Sequence, residues 1–275
     1  MKTVLIYCFL IASFIIGLTT TLAQEQVDND FNHAGGIAEI LINKKSTDLP
    51  DIKFGIHQPT IIDEKSHWRV LIGLDLETIP GEYLIYLKRK VNDATSEHIK
   101  FFIEQKKQTI ETIDKKLARD VKKTHSDLSL LDFENTQQPN LPLKLPVSGD
   151  WNLNFGTIYY HSKKKTSEIQ NLIALEIENI VSIRSPENAI ISNIISNDAD
   201  GSSTVFLDHG RGLFSIIDGI TDLNVEIGNG VLSGAVIGKV TPITDSRKES
   251  VIAKRLTWQC VLNGTYVNPI FLTQL

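Results

Sequence analysis

Two cysteines in 275 residues leave little thiol chemistry, and one of them, Cys8, lies in a segment expected to be removed. With Cys260 alone in the mature chain, an intramolecular disulfide is excluded and stability must come from packing. Basic residues are also in deficit: 28 Lys+Arg against 33 Asp+Glu give a net charge of −5. That balance lacks the cationic footprint by which phosphate backbones or anionic membranes are bound, so nucleic acid is excluded as a partner. Apart from the extreme N-terminus there is no long hydrophobic run, and no glycine-rich phosphate loop precedes a helix. What remains is 41% apolar and 22% charged, enough for a substantial core in one large or two ordinary domains.

Lys2 precedes an apolar run from Val4 to Leu18, followed by polar residues and Thr21-Leu22-Ala23. A short positive start, an apolar stretch and a small-x-small site form a secretory signal peptide, with cleavage expected after Ala23. The run is shorter than the ~20 residues of a bilayer-spanning helix, so no stable membrane span is expected after cleavage.

Short β-type runs recur at Ile37–Ile42, Ile52–Ile56, Trp68–Ile72, Tyr83–Leu87 and Ile99–Ile103, separated by turn residues such as Pro80-Gly81. This spacing predicts an N-terminal immunoglobulin-like β-sandwich over residues 24–105. Ile110, Ile113, Leu117, Val121, Leu128 and Leu131 then recur at helical spacing opposite a face rich in lysine, predicting an amphipathic helix. Pro139, Pro142 and Pro146 cannot continue it, and residues 106–145 are read as a helical connector and proline-spaced linker. From residue 146 to 275 the pattern is almost wholly β, with strands expected at Ala189–Ile195, Ser203–Asp208, Gly212–Ile217, Asn224–Ile227, Ala235–Val240, Leu256–Leu262 and Thr265–Val267. Asn263-Gly264 between apolar runs predicts a type I′ hairpin. The turn alone accounts for these residues, although they also begin a glycosylation sequon.

Ser203–Leu213 (STVFLDHGRGL), Leu223–Val231 (LNVEIGNGV), Gly234–Val240 (GAVIGKV), Leu256-Thr-Trp258 and Leu262–Pro269 (LNGTYVNP) run in an order that resembles the lysostaphin/LytM-type peptidases, peptidase family M twenty-three. The resemblance covers roughly Leu145 to Leu272. Upstream, Trp68–Leu76 and Pro80-Gly81-Glu82-Tyr83 look like the β domain that precedes the peptidase domain in a Gram-negative branch. The resemblance implies a C-terminal all-β duplicated-hybrid-motif domain with a groove for peptidoglycan peptides. Active members are zinc endopeptidases that cut peptidoglycan cross-links. Their zinc is held by an His-x-x-x-Asp motif and the second His of an His-x-His motif, with two further histidines acting on the metal-bound water.

Transferred residue by residue, these positions are changed. Counted from Phe155-Gly156 without a gap, the first ligand falls on Ile169 and the Asp on Ile173; a gap of one or two residues moves them to Gln170 or Asn171 and to Ala174. Counted from His209-Gly210, the first catalytic His falls on Gly219. The His-x-His pair, fixed by the following Trp258, reads Arg255-Leu256-Thr257, so Thr257 takes the third ligand position and Arg255 the second catalytic one. Zinc needs about three His, Asp, Glu or Cys ligands and an open position for water. No zinc or other cofactor is therefore expected, and no catalytic residue is assigned. A glycine-free stretch, Thr241–Lys254, replaces the family's glycine-rich loop.

Arg255, Trp258 and Asp218 are the candidate groove-binding residues, with Arg255 able to pair with Asp218 or to hold a stem-peptide carboxylate through its planar fork. His209 is assigned a structural role in the strand-turn pattern, and His161 is read as a loop residue beside Lys163, Lys164 and Lys165. His33, His57, His67, His98 and His125 lack metal-site spacing, and Cys260 lacks the neighbouring base of a nucleophile. The resemblance implies a secreted protein of the periplasm or cell envelope of a Gram-negative bacterium that binds peptidoglycan or regulates a cell-wall hydrolase. The alternatives are a peptidase that still cuts cross-links through a rearranged site, and an envelope scaffold that binds through the helix Ile110–Leu131.

Overall fold

The computed structural model describes residues 24–26, 30–54, 58–88, 97–106, 110–113, 128–152, 154–161, 166–198, 200–245 and 250–275. The expected signal peptide and most of the expected helix, residues 114–127, lie outside them, as do His57 and His125.

The N-terminal half is built from β1 (Gln24–Gln26), β2 (Ile37–Asn43), β3 (Asp51–Lys53), β4 (Thr60–Asp63), β5 (His67–Gly73), β6 (Gly81–Lys88) and β7 (Glu97–Ile103). They form two antiparallel sheets, β1-β2-β5-β4 and β3-β6-β7. The alternation in β7 is typical, with Ile99, Phe101 and Ile103 buried and Lys100 and Phe102 exposed. Between the sheets, Ile40, Trp68, Val70, Ile85, Leu87 and Phe101 belong to one continuous core.

The expected helix is corrected at both described ends. Ile110–Ile113 is a strand, β8, paired in parallel with β9 (Ile158–His161), and Leu128–Leu130 is a single 3-10 turn. The spacing of Ile110 and Ile113 fits a helix, but these residues meet a partner strand almost fifty residues away, which local periodicity does not register. β10 (Thr166–Ile169) completes that sheet in the order β10-β9-β8. His161 thus lies in a strand rather than a loop.

The C-terminal half continues with β11 (Ile173–Ile177), β12 (Val181–Arg184), β13 (Ala189–Asn197), β14 (Ser202–Gly210), β15 (Leu213–Ile220), β16 (Asp222–Leu223), β17 (Gly230–Val231), β18 (Val236–Val240), β19 (Ile243–Asp245), β20 (Ser250–Ile252), β21 (Lys254–Leu262), β22 (Thr265–Val267) and a terminal turn of helix, α1 (Pro269–Leu272). The main sheet runs β11-β21-β15-β14-β13-β17, with β22 beside β21, and a small sheet β12-β18-β16 lies apart from it. Residues 224–227 are not a strand. Asn229 folds back on Glu226 there, accepting the Glu226 N–H through Oδ1 at 2.9 Å and donating its own N–H to Glu226 O at 3.1 Å. The Asn263-Gly264 turn has positive φ at both residues, 55° and 78°, as a type I′ hairpin requires. α1 starts at Asn268, whose side chain accepts the Ile270 N–H, with Pro269 in the first turn.

The large core of this half contains Ile173, Ile183, Val205, Ile217, Leu256, Trp258 and Cys260. It also takes in Ile37, Ile62 and Leu71 from the N-terminal sheets, so the two halves share apolar contacts. Polar contacts reinforce this joint. Thr60 Oγ1 donates to Arg211 O at 2.6 Å, Arg211 Nη1 donates to Ile61 O, and Asn263 Nδ2 donates to Thr60 Oγ1 at 2.8 Å. A β-carbon on Gly73 would stand 2.5 Å from Leu262 O, so only glycine permits this approach. At the other end Phe31 stacks on Phe271 with ring centroids 4.5 Å apart.

Candidate functional site

The site is set by side-chain parity on β21. Successive residues of a strand face opposite sides of its sheet, so Arg255, Thr257, Gln259 and Val261 share one face, and Leu256, Trp258 and Cys260 the other. The second face is the core. Trp258 is fully buried there, its ring 6.1 Å from that of Trp151. Trp258 is therefore corrected from groove residue to core residue.

Cross-strand register then identifies what surrounds Thr257. It sits between Ala174 of β11 and Asp218 of β15, and Arg255 is opposite Glu176. Directly paired residues in an antiparallel ladder project to the same side, so Ala174, Glu176, Arg255, Thr257 and Asp218 lie on one face. Ile173 pairs with Trp258 and is completely buried in the core, and Ile169 belongs to the separate β9–β10 ladder. Ile169 and Ile173 do not line the groove, whereas Gln170 and Ala174, the positions reached with a gap of one residue, do. Asn171 is bound from the other direction, its Oδ1 accepting from Gln259 Nε2 at 2.9 Å.

Gly219 occupies a break in the ladder, because Ser203 pairs with Ile220 while Thr204 pairs with Asp218. Its φ is +103°, a region that glycine enters freely. Its neighbour Asp218 is half-buried and accepts a hydrogen bond from Thr204 Oγ1 at 2.7 Å. Thr257 is buried, and its Oγ1 has no hydrogen-bond partner among the described residues.

Beside these residues a groove of about 620 Å³ runs along the edge of β11. One wall is Ser148, Gly149, Asp150, Asn152 and Asn154; the other includes Glu176, Glu178, Asn179 and Arg255, and Tyr159 and Gln170 also line it. Asn154 Nδ2 donates to the Tyr159 hydroxyl at 3.0 Å. Asp218 and Trp258, proposed as groove residues with Arg255, do not line this space; Arg255 does. Within Thr241–Lys254, β19 and β20 pair antiparallel, with Ile243 opposite Ile252.

The other end of the same sheet face is covered. Leu131 packs with Phe206, Phe214, Ile216 and Val261, and Phe133 meets Phe214 edge-on at 5.2 Å. Arg211 N donates to Asn135 O at 2.8 Å, fixing the linker over the β14–β15 turn.

Zinc does not fit the residues present. The strand positions around Thr257 offer alanine, threonine and two carboxylates, Asp218, already bound by Thr204, and Glu176, opposite the Arg255 guanidinium. Such a set falls short of the three N, S or carboxylate ligands that zinc takes. Among the described residues no three His, Cys, Asp or Glu side chains come together as a metal site.

A serine-histidine contact that motif reading did not find lies in the core instead. His209 Nε2 is 2.9 Å from Ser215 Oγ, and its Nδ1 is 3.0 Å from Asn188 O. Burial lowers the His209 pKa to about 4, and it raises the thiol of Cys260, 3.8 Å beyond Ser215. All three residues are fully buried, so the group braces the strands and has no access to substrate.

A known structure shares this architecture. A Pseudomonas aeruginosa protein solved as a candidate M23 peptidase superposes with a TM-score of 0.63 at 20% identity, over 90% of this chain and 96% of its own. The catalytic domain of lysostaphin from Staphylococcus simulans matches 46% of this chain and 92% of its own with a TM-score of 0.35 at 14% identity. Helicobacter pylori Csd3 matches 85% of this chain, which spans about half of Csd3 (48%), with a TM-score of 0.39 at 10% identity. No family model matches the chain, and no curated protein does. The fold is that of the M23 peptidases, as the LytM-type resemblance implies.

Proposed function

We propose that this protein uses an M23 peptidase fold to bind rather than to cut. It is secreted through its N-terminal segment and acts in the cell envelope, on peptidoglycan or on a cell-wall hydrolase. The observation that carries this reading is the register Ala174–Thr257–Asp218 with Arg255 in the same strand. In that place hydrolysis needs a Lewis acid to activate water, and these side chains do not supply the ligands to hold one; their one carboxylate, Asp218, is already bound by Thr204. A fold outlives its chemistry when the groove retains value as a binding surface.

The test is incubation of the purified mature protein with purified sacculi, with and without added zinc, together with its metal content after dialysis. The expected outcome is substoichiometric zinc and no release of muropeptides under either condition. Stoichiometric zinc, with muropeptide release abolished by chelation, would overturn the reading.

A further inference from the structure

The groove lies against an unfilled sheet edge. β11 is the outermost strand of the main sheet, with β21 on its inner side. Ala174 turns its N–H and C=O outward: its N donates to Asn152 O at 3.3 Å and its O accepts from Asn152 N at 2.6 Å. Backbone groups of an antiparallel strand alternate in direction, so Glu176, two residues on, also presents its N–H and C=O outward. Beyond Asn152 the chain peels away: Gly149 and Trp151 close a local turn at 3.2 Å, and no described backbone group pairs with Glu176 on that side. The groove opens in that gap, between Ser148–Asp150 and Glu176–Asn179. Its volume of about 620 Å³ falls within the range of sites for small ligands and short peptide segments.

Charge selects the occupant. Asp150, Glu176 and Glu178 are exposed in the groove lining, and among the described residues Arg255 is its one cation. A ligand carrying several carboxylates, as peptidoglycan stem peptides do, would meet repulsion there, whereas primary amines would be attracted.

We propose that the β11 edge takes an extended, lysine-bearing segment of a protein partner as an added strand. Its main chain continues the Asn152–Ala174 ladder onto Glu176, and its amines meet Asp150, Glu176 and Glu178. Strand addition of this kind draws affinity from main-chain bonds and specificity from the flanking side chains. The inference rests on the reading that this fold binds without cutting, and it names the kind of partner.

The probe is a capped six-residue peptide of alternating lysine and valine, titrated into the mature protein by calorimetry. It should bind, and acetylation of its lysines or the double substitution Glu176→Lys with Glu178→Lys should each weaken binding by about tenfold or more, with a strong dependence on salt. N-methylation of alternate backbone nitrogens, which keeps the amines but removes main-chain donors, should weaken it as much. Both substituted residues are exposed, and an unchanged circular dichroism spectrum and melting temperature confirm that the variant is folded. Absence of binding, or binding indifferent to the N-methyl groups, overturns strand addition. Capture by sacculi with no affinity for the peptide assigns the groove to peptidoglycan and overturns the protein partner, leaving the non-hydrolytic reading intact. Cleavage of the peptide or of sacculi overturns that reading itself.

Discussion

The backbone carbonyl oxygen of Arg255 lies 2.5 Å from where a β-carbon on Gly219 would stand. The position to which the family resemblance would assign a catalytic histidine therefore leaves no room for a β-carbon in this backbone. At a φ of +103° any larger side chain is strained, and here it also collides with the neighbouring strand. Gly219→His should lower stability by about 1–3 kcal/mol, read as a lower denaturant midpoint, and it should not create hydrolytic activity. A variant as stable as the parent would show that this part of β15 relaxes readily.

Asn263 is where the hairpin chemistry and the joint between the two halves coincide. It adopts a φ of 55° in the turn, donates to Thr60 Oγ1 and accepts the Gly73 N–H at 3.3 Å. Asn263→Ala strains the turn and leaves partners unpaired, and it should cost about 2–3 kcal/mol. Asn263→Gly keeps the turn while losing the same bonds, so it should cost less. Equal losses in urea unfolding would mean that the turn conformation contributes nothing.

These residues show what a single sequence makes legible. The Asn-Gly turn was readable because its φ preference is local, and so were the central strands, whose apolar runs are long and bounded by glycine or asparagine. The 110–131 helix was misread at its described ends because β8 is made by a parallel partner rather than by its own period. Trp258 and Ile173 face the core rather than the groove, which is legible only once the register of β21 with β11 and β15 fixes strand parity. The groove itself was not readable at all. It depends on the Ser148–Asn152 segment making a single bridge to β11, which no residue pattern announces.

Cys260 should be inert in the native protein. It is fully buried, burial holds its thiol well above the ordinary cysteine range, and only the thiolate is nucleophilic. Iodoacetamide at pH 8, followed by peptide mapping, should leave Cys260 unmodified over hours in native buffer and label it completely in denaturant. Rapid native labelling would require an opening of β21, which is paired with β15 and β22 around Cys260.

His209 gives the fold a defined sensitivity to acid. Burial favours the neutral ring and lowers its pKa from 6.5 to about 4, and the acceptor Asn188 O offsets only part of this shift. Between these two values the unfolded chain binds a proton that the folded chain does not, so acidification favours unfolding. The stabilisation is fully present above pH 6.5, falls progressively below it, and changes no further below about pH 4. Integrated over that window the effect is about 3 kcal/mol for this one group. Carboxylates titrate in part of the same range, so the measurement is the difference between wild type and His209→Gln, each unfolded in urea at a series of pH values. Their stability gap should be largest near neutral pH and should shrink by most of that amount on reaching pH 4. A gap independent of pH would show that His209 binds its proton equally well in both states.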